Sequence, residues 1–477
     1  MNDEPPTPRI LSGPLLPAVA KFGAPLAFGM GLQVTFNLVD AYLISRLSHE
    51  VAGPALGALG ICDQLAAIGS IISYGLSTAT AAVMSRRAGR GDIIGARRVA
   101  WQSSLMVLAL GAIFGLLGIF GSRFLIFDVV RARGRVAELG VEYLQVILTG
   151  NVTIFALLHL TTMQRAMGSS KTPASLLVAA NVFNLLFAVL LVYGQGPAPA
   201  LFAWGPELST HLGIPRLGLV GAAWATVLAR SLVLIPLVVL VVRRFGLFRR
   251  EVRGPFDGPL LRRLFSLGWP TSTQLVVRIV SMLMVQSLVA RAYTTNTDQA
   301  ATTALGVVFR LETMALFISL GWGSAAHTFV AQHLGAGKRE RAHRSGWLAA
   351  AMNAIMMVAL VAVYLGYDRE IVQFFDRDPQ VVVLALDYIR IVGISYVGLG
   401  LGIVLGSAMQ GAGATKTTLL IDVVVLFGVL LPLAFGVVLS HGRLEQLWKV
   451  VAVGYASSAI VYAFAYQRRR YLDVEVS

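Results

Sequence analysis

The chain has 477 residues, 56% of them hydrophobic and only 13% charged, with a mean hydropathy of +0.73. Soluble domains carry about 25% charged residues, so a soluble enzyme or binding domain is excluded and an integral membrane protein of many helices is indicated. The net charge of +15 does not mark nucleic-acid binding, because Arg and Lys cluster in short loops between apolar runs, the positive-inside pattern.

The N-terminal segment, MNDEPPTPRILSGP, lacks a basic start followed by a short apolar core and a cleavage site. No cleavable signal peptide is expected, and the first helix serves as its own insertion signal. Apolar runs long enough to cross a bilayer lie near 17–45, 51–84, 99–127, 138–163, 173–195, 217–242, 265–292, 299–331, 346–367, 379–409, 417–440 and 446–466. They predict twelve spans. The first carries Pro25 and one carboxylate, Asp40. An ionisable group on a spanning helix costs at least about 2.5–3.5 kcal/mol to insert and marks a functional site by default. The lone cysteine, Cys62, lies in the second run and reads as a small buried hydrophobe.

The basic loops set the orientation. Arg86, Arg87, Arg90, Arg97 and Arg98 follow the second run, a long Arg-rich stretch separates the sixth from the seventh, Lys338, Arg339, Arg341 and Arg344 follow the eighth, and Arg468, Arg469 and Arg470 follow the last. All lie on one side if both termini are cytoplasmic, with Arg131, Arg133 and Arg135 the exception. The chain is therefore expected to be a multi-pass protein of the cell (inner) membrane.

The stretch 243–263 reads as a basic cytoplasmic linker between an N-terminal bundle (1–242) and a C-terminal bundle (264–477). Three matches relate them: FGAP at 22–25 with LGWP at 267–270, GRGDIIGARR at 89–98 with GAGKRERAHR at 335–344, and AMGSSKT at 166–172 with GAGATKT at 411–417. The constant offset of 245 or 246 implies two parallel repeats of six helices with a substrate cavity between them. The fold class is an all-α integral membrane protein with twelve transmembrane helices in two parallel-repeat six-helix bundles around a central cavity.

Soluble-enzyme chemistry finds no support. GAGATKT has Thr415 where a phosphate loop needs glycine before the lysine, and HExxH, paired-cysteine and GxSxG patterns are missing. No enzyme, cofactor or metal site is expected, and active transport should draw on an ion gradient. Burial in low dielectric disfavours a carboxylate's charged form, which makes Asp40 a candidate proton carrier. A permanently hydrogen-bonded structural carboxylate is the other reading. The repeat gives Asp40 no twin, since Val285 or Gln286 stands at the equivalent position. Asn37 shares its helix face, Asn181 and Asn184 share one on the fifth span, and Thr226 lies on the sixth. These could build a polar nest around Asp40, or serve as interhelical hydrogen bonds. Asp63, Glu142 and Arg230 are expected near helix ends at the interface. In the second half Arg278, Arg310, Glu312, Asp387, Arg390 and Asp422 fall inside spans, where pairing is expected, Arg310 with Glu312 foremost.

Together these elements resemble the MATE (multidrug and toxic compound extrusion) family, part of a superfamily that includes lipid-linked oligosaccharide flippases. The resemblance rests on Pro25 and Asp40, on GLSTATAAVMSRRAGRGDIIGARRVA (75–100), QRAMGSSKTP (164–173), GAAWAT (221–226), FRLETMALFISLGWGSAAHTFVAQHLGAGKRERA (309–342) and SAMQGAGATKT (407–417). It implies a V-shaped central cavity and alternating access driven by protons or sodium. The chain looks closer to the DinF-like branch, whose cation site maps onto Asp40, Asn184 and Thr226. That branch's second acid is replaced by Ala188, and Phe36 stands where a tyrosine is expected. The NorM-like carboxylate on the seventh helix is replaced by Arg278. Asp40 is thus expected to act as the only acid in its nest, and H⁺ is favoured over Na⁺.

The expected function is a cation-coupled antiporter exporting amphiphilic organic compounds, with Phe36, Asn37, Asn181, Arg278 and Glu312 as candidate cavity residues. Its partners would be the lipid bilayer and a small organic substrate, with the protein acting as a monomer. The alternative is a flippase for a lipid-linked saccharide or other anionic amphiphile, suggested by Arg230, Arg278, Arg310 and Arg390 inside spans.

Overall fold

The computed structural model describes residues 10–246, 251–295 and 298–474, with the side chains of 35–38 and 49 excluded. Its spans are α1 (Leu15–Ser45), α2 (His49–Gly89), α3 (Ile93–Val129), α4 (Gly134–Thr149 and Asn151–Ala166, bent by 41°), α5 (Lys171–Tyr193) and α6 (Gly218–Phe245). The second half has α7 (Gly258–Ala292), α8 (Ala300–Gly335), α9 (Arg339–Gly366), α10 (Pro379–Gly411), α11 (Thr415–Leu439) and α12 (Leu444–Gln467). Each predicted apolar run matches one of them. The helices extend into the basic loops where polar residues cap them. Asp92 accepts a hydrogen bond from the Gly95 amide at 2.8 Å and starts α3, and Asp257 accepts from Leu260 at 3.0 Å and starts α7 inside the predicted linker. Hydropathy had no means of seeing the short helices Trp204–Leu212 and Asp368–Phe375, which lie between spans.

The repeat is written into the backbone. Gly91 and Gly337, 246 residues apart, both turn the chain with positive φ (81° and 74°), and Gly168 and Gly413, 245 apart, do the same (87° and 93°). Side chains with a Cβ rarely adopt this conformation. The halves then meet in matching fashion. A Cβ on Gly89 would stand 2.1 Å from the Gln332 carbonyl oxygen, and one on Gly335 would stand 2.1 Å from that of Arg86. Since 86 and 332 are themselves repeat equivalents, α2 and α8 cross on a pseudo-twofold axis.

Hydrogen bonds seal this crossing. Arg86 donates to the Ala412 carbonyl (3.2 Å), Gln332 to that of Ala166 (2.7 Å), Lys338 to that of Leu11 (2.9 Å) and Arg341 to that of Gly13 (3.0 Å). All four lie at the end that carries the basic loops. The first helix belongs to both cores. Val19, Phe22, Leu26 and Ala27 of α1 are buried in the apolar core of the second half, while Leu43 and Ile44 of the same helix are buried in that of the first.

Candidate functional site

Asp40 sits near the end of α1 in the first half, where Asn184 of α5 meets it. The Asn184 amide nitrogen donates to both carboxylate oxygens, at 2.9 and 2.8 Å, and its own carbonyl oxygen is buried without a partner. Of the remaining residues expected in this nest, Thr226 donates back to the Ala222 carbonyl of its own helix (3.0 Å), as serines and threonines in helices often do. Asn181 is half-buried and makes no hydrogen bond to Asp40. The side chains of Phe36 and Asn37 lie outside the described residues.

Two expectations about neighbours are corrected. Asp63 and Arg230 do not sit at helix ends. Asp63 lies well inside α2 and Arg230 well inside α6, and both interact electrostatically with Asp40. Asp40 is therefore not the only acid. Tyr143 of α4 donates to Asp63 at 3.3 Å, and Arg230 stays beyond ion-pair distance of either carboxylate. Two carboxylates and one guanidinium leave one negative charge in excess when all are ionised. Ala188, one turn beyond Asn184, is 1% exposed and packs into the apolar core, so the position has become part of the scaffold.

The second half holds a different arrangement. Glu312 is buried and is bound not by Arg310 but by the hydroxyls of Tyr388 (2.8 Å) and Tyr455. Arg310 instead lies over the Phe375 ring at 5.5 Å, an environment a guanidinium favours. Glu312 thus belongs to a tyrosine cluster within the bundle. Arg278 finds its counter-charge in Asp422 of α11, at 2.5 Å. Asp422 also accepts from Gln274 (2.8 Å) and Tyr462 (2.7 Å), and Gln274 accepts from Gln410 (2.7 Å). Every polar atom of the carboxylate is used, as a buried ion pair requires.

Arg278, Gln274 and Gln410 line one compartment of the cleft between the halves, together with Tyr74 from α2. A second compartment shares Tyr74 and Gln410 and reaches across to Arg165 and His327. The arginines that suggested an anion-accepting surface do not form one: Arg278 is paired, Arg390 is paired with Asp368 (2.9 Å), Arg310 is stacked, and Arg230 interacts at longer range with Asp40 and Asp63. Composition could not reveal which arginine lacks an acid.

Among the described residues, eleven helices and one bent pair are long and apolar enough to cross a membrane, and in repeated halves around a polar cleft they have the architecture of a membrane transporter. The family model MatE matches residues 25–190 and again residues 273–436, and the chain belongs to that family, the MATE transporters. It is 23% identical over 422 residues to the probable multidrug resistance protein YpnP of Bacillus subtilis, covering 86% of each chain. It is 24% identical to the FAD transporter of Shewanella oneidensis, covering 89% of this chain and 88% of that one. The probable multidrug resistance protein NorM of Thermotoga maritima is 22% identical, over 85% and 82%. Among solved structures, an outward-facing multidrug resistance MATE transporter superposes with a TM-score of 0.84 at 20% identity, over 97% of this chain and 98% of that one. A MOP superfamily transporter from Pyrococcus furiosus, described as having a binding pocket of reverse polarity, gives 0.85 at 20% identity over 98% of both.

Proposed function

We propose that this transporter is a proton-driven antiporter with both termini cytoplasmic, exporting amphiphilic organic compounds by alternating access. The observation that carries the reading is the Asp40–Asn184 contact beside Asp63 and Arg230. Ionised, Asp40 takes both donors of one amide. Protonated, it becomes a donor, and the unpartnered Asn184 carbonyl oxygen is the acceptor within reach once the amide turns over. The proton is thereby read as a change in how α1 meets α5. Because α1 is packed into both cores, that change acts on the seam between the halves. One proton also removes the single excess negative charge of the cluster.

With cytoplasmic termini, the end sealed by Arg86, Gln332, Lys338 and Arg341 is the inner one. The cleft then faces outward, the state in which Asp40 loads from the external medium. Proton and substrate must favour different access states for coupling to occur. The multidrug resistance names of the Bacillus and Thermotoga relatives support organic compounds as cargo, and the FAD transporter widens the range to large anions. The test is transport in proteoliposomes with proton and sodium gradients imposed separately. Export should follow the proton gradient alone, and vanish in Asp40→Asn while the protein stays folded. Undiminished proton-driven export by Asp40→Asn would falsify the mechanism.

A further inference from the structure

The compartment holding Arg165 is built from repeat equivalents. Thr78 and Ser324 stand 246 residues apart, Thr162 and Ser407 245 apart, and all four line it. The pseudo-twofold axis therefore runs through this space and places a hydroxyl of each kind on either side. Arg165 breaks the symmetry, because its equivalent 245 residues on is Gln410.

Arg165 is 7% exposed and has no carboxylate within ion-pair distance. Among the described residues its guanidinium donates only to the hydroxyls of Thr162 (2.5 Å) and Ser324 (3.4 Å). A buried cation served by neutral hydroxyls alone is costly unless a counter-charge arrives from elsewhere. The buried His327 lines the same compartment. A planar five-donor fork and paired hydroxyls match the needs of a phosphate or carboxylate group.

We propose that this compartment is an anion-recognition site, in which Arg165 binds the phosphate or carboxylate group of an amphiphilic substrate. The assignment of the ligand as a substrate rests on the export function proposed above. Binding itself does not, and the experiment exploits that difference. In detergent, with no gradient, binding of 1-naphthyl phosphate, 1-naphthoate and the cationic 1-naphthylmethylammonium is measured by calorimetry. Arg165→Gln, which makes the axis symmetric, should weaken both anionic probes at least tenfold and leave the cationic probe unchanged. Arg165→Lys keeps the charge but loses the fork, so it should bind the anionic probes more weakly than the parent while still binding them better than Arg165→Gln does. Gln410→Glu keeps Arg165 but sets a carboxylate opposite it, and should abolish anion binding even if Arg165→Gln proves unstable. Stronger binding of the phosphate than of the carboxylate assigns the site to phosphate esters, and the reverse order assigns it to organic acids. Asp40→Asn fixes the neutral form and shifts the access states, so it should change all three affinities together and keep the discrimination of anionic from cationic probes; a failed coupling mechanism and a failed anion site therefore give different results. Equal loss of anionic and cationic probes in Arg165→Gln would reduce Arg165 to a clasp between α4 and α8 and overturn the proposal, as would unchanged anion binding in Gln410→Glu.

Discussion

Asn184 presents its amide nitrogen to both oxygens of Asp40, at 2.9 and 2.8 Å, and leaves its carbonyl oxygen unused. A hydrogen bond to a charged group contributes about 1.5–3 kcal/mol, so Asn184→Ala should lower proton-driven export at least tenfold. The informative measurement is a double-variant cycle with Asp40→Glu, which keeps an acid and some export to lose. If Asn184 acts through position 40, the two losses are less than additive, as expected of residues that work as one unit. Additive losses in initial export rates would separate the two residues.

Restoring the acid that the family resemblance places at position 188 should damage the fold. Ala188 is 1% exposed and surrounded by apolar side chains of the first half. An unpaired carboxylate there costs several kcal/mol even after relaxation. Ala188→Asp is expected to melt well below the parent in a detergent thermal-shift assay and to gain no sodium-driven export. A stable Ala188→Asp protein that exports on a sodium gradient would show the position to be a vacant ion ligand.

The Arg278–Asp422 pair makes a different prediction. Arg278→Ala leaves Asp422 buried with Gln274 and Tyr462 but no cation, and breaking a buried pair in this way costs about 3–5 kcal/mol. Replacing both residues by apolar ones of similar size, Arg278→Met with Asp422→Leu, should recover most of the lost thermal stability. If the double variant melts no higher than the single one, the network rather than the pair holds α7 to α11.

The architecture was legible because it depends on long-period signals. Apolar length reported each span, and the spacing of Gly91 with Gly337 and of Gly168 with Gly413 reported the repeat, since each turn needs a positive φ. Asp40 and Asn184 were also legible, one as a charge in a span and the other as the family's asparagine. The partners of charged residues were not. Glu312 and Arg310 are two positions apart on α8, and that spacing turns their side chains to different sides of a helix. Arg278 meets Asp422 across 144 residues, and Asp63 reaches the Asp40 site from a helix with no polar periodicity to advertise it. The repeat offset held one unread signal: applied to Arg165 it lands on Gln410, the asymmetry at the centre of the cleft.

The crossing of α2 and α8 supplies a test of the access cycle. Gly89 and Gly335 let the two backbones touch at the sealed end, and a Cβ at either position would lie 2.1 Å from a carbonyl oxygen. Backbone atoms on a packed helix have little room to give, so Gly89→Ala and Gly335→Ala should each disfavour the sealed arrangement seen here. The opposite access state, in which this end parts, loses nothing from the added methyl. Both variants should therefore shift toward it, increasing labelling of a cysteine introduced beside the seam at Ala412 and slowing export severalfold. Cys62 is buried and should leave the readout clean. Unchanged labelling in both variants would mean that the crossing does not separate during the cycle, and that access alternates by a motion within one half.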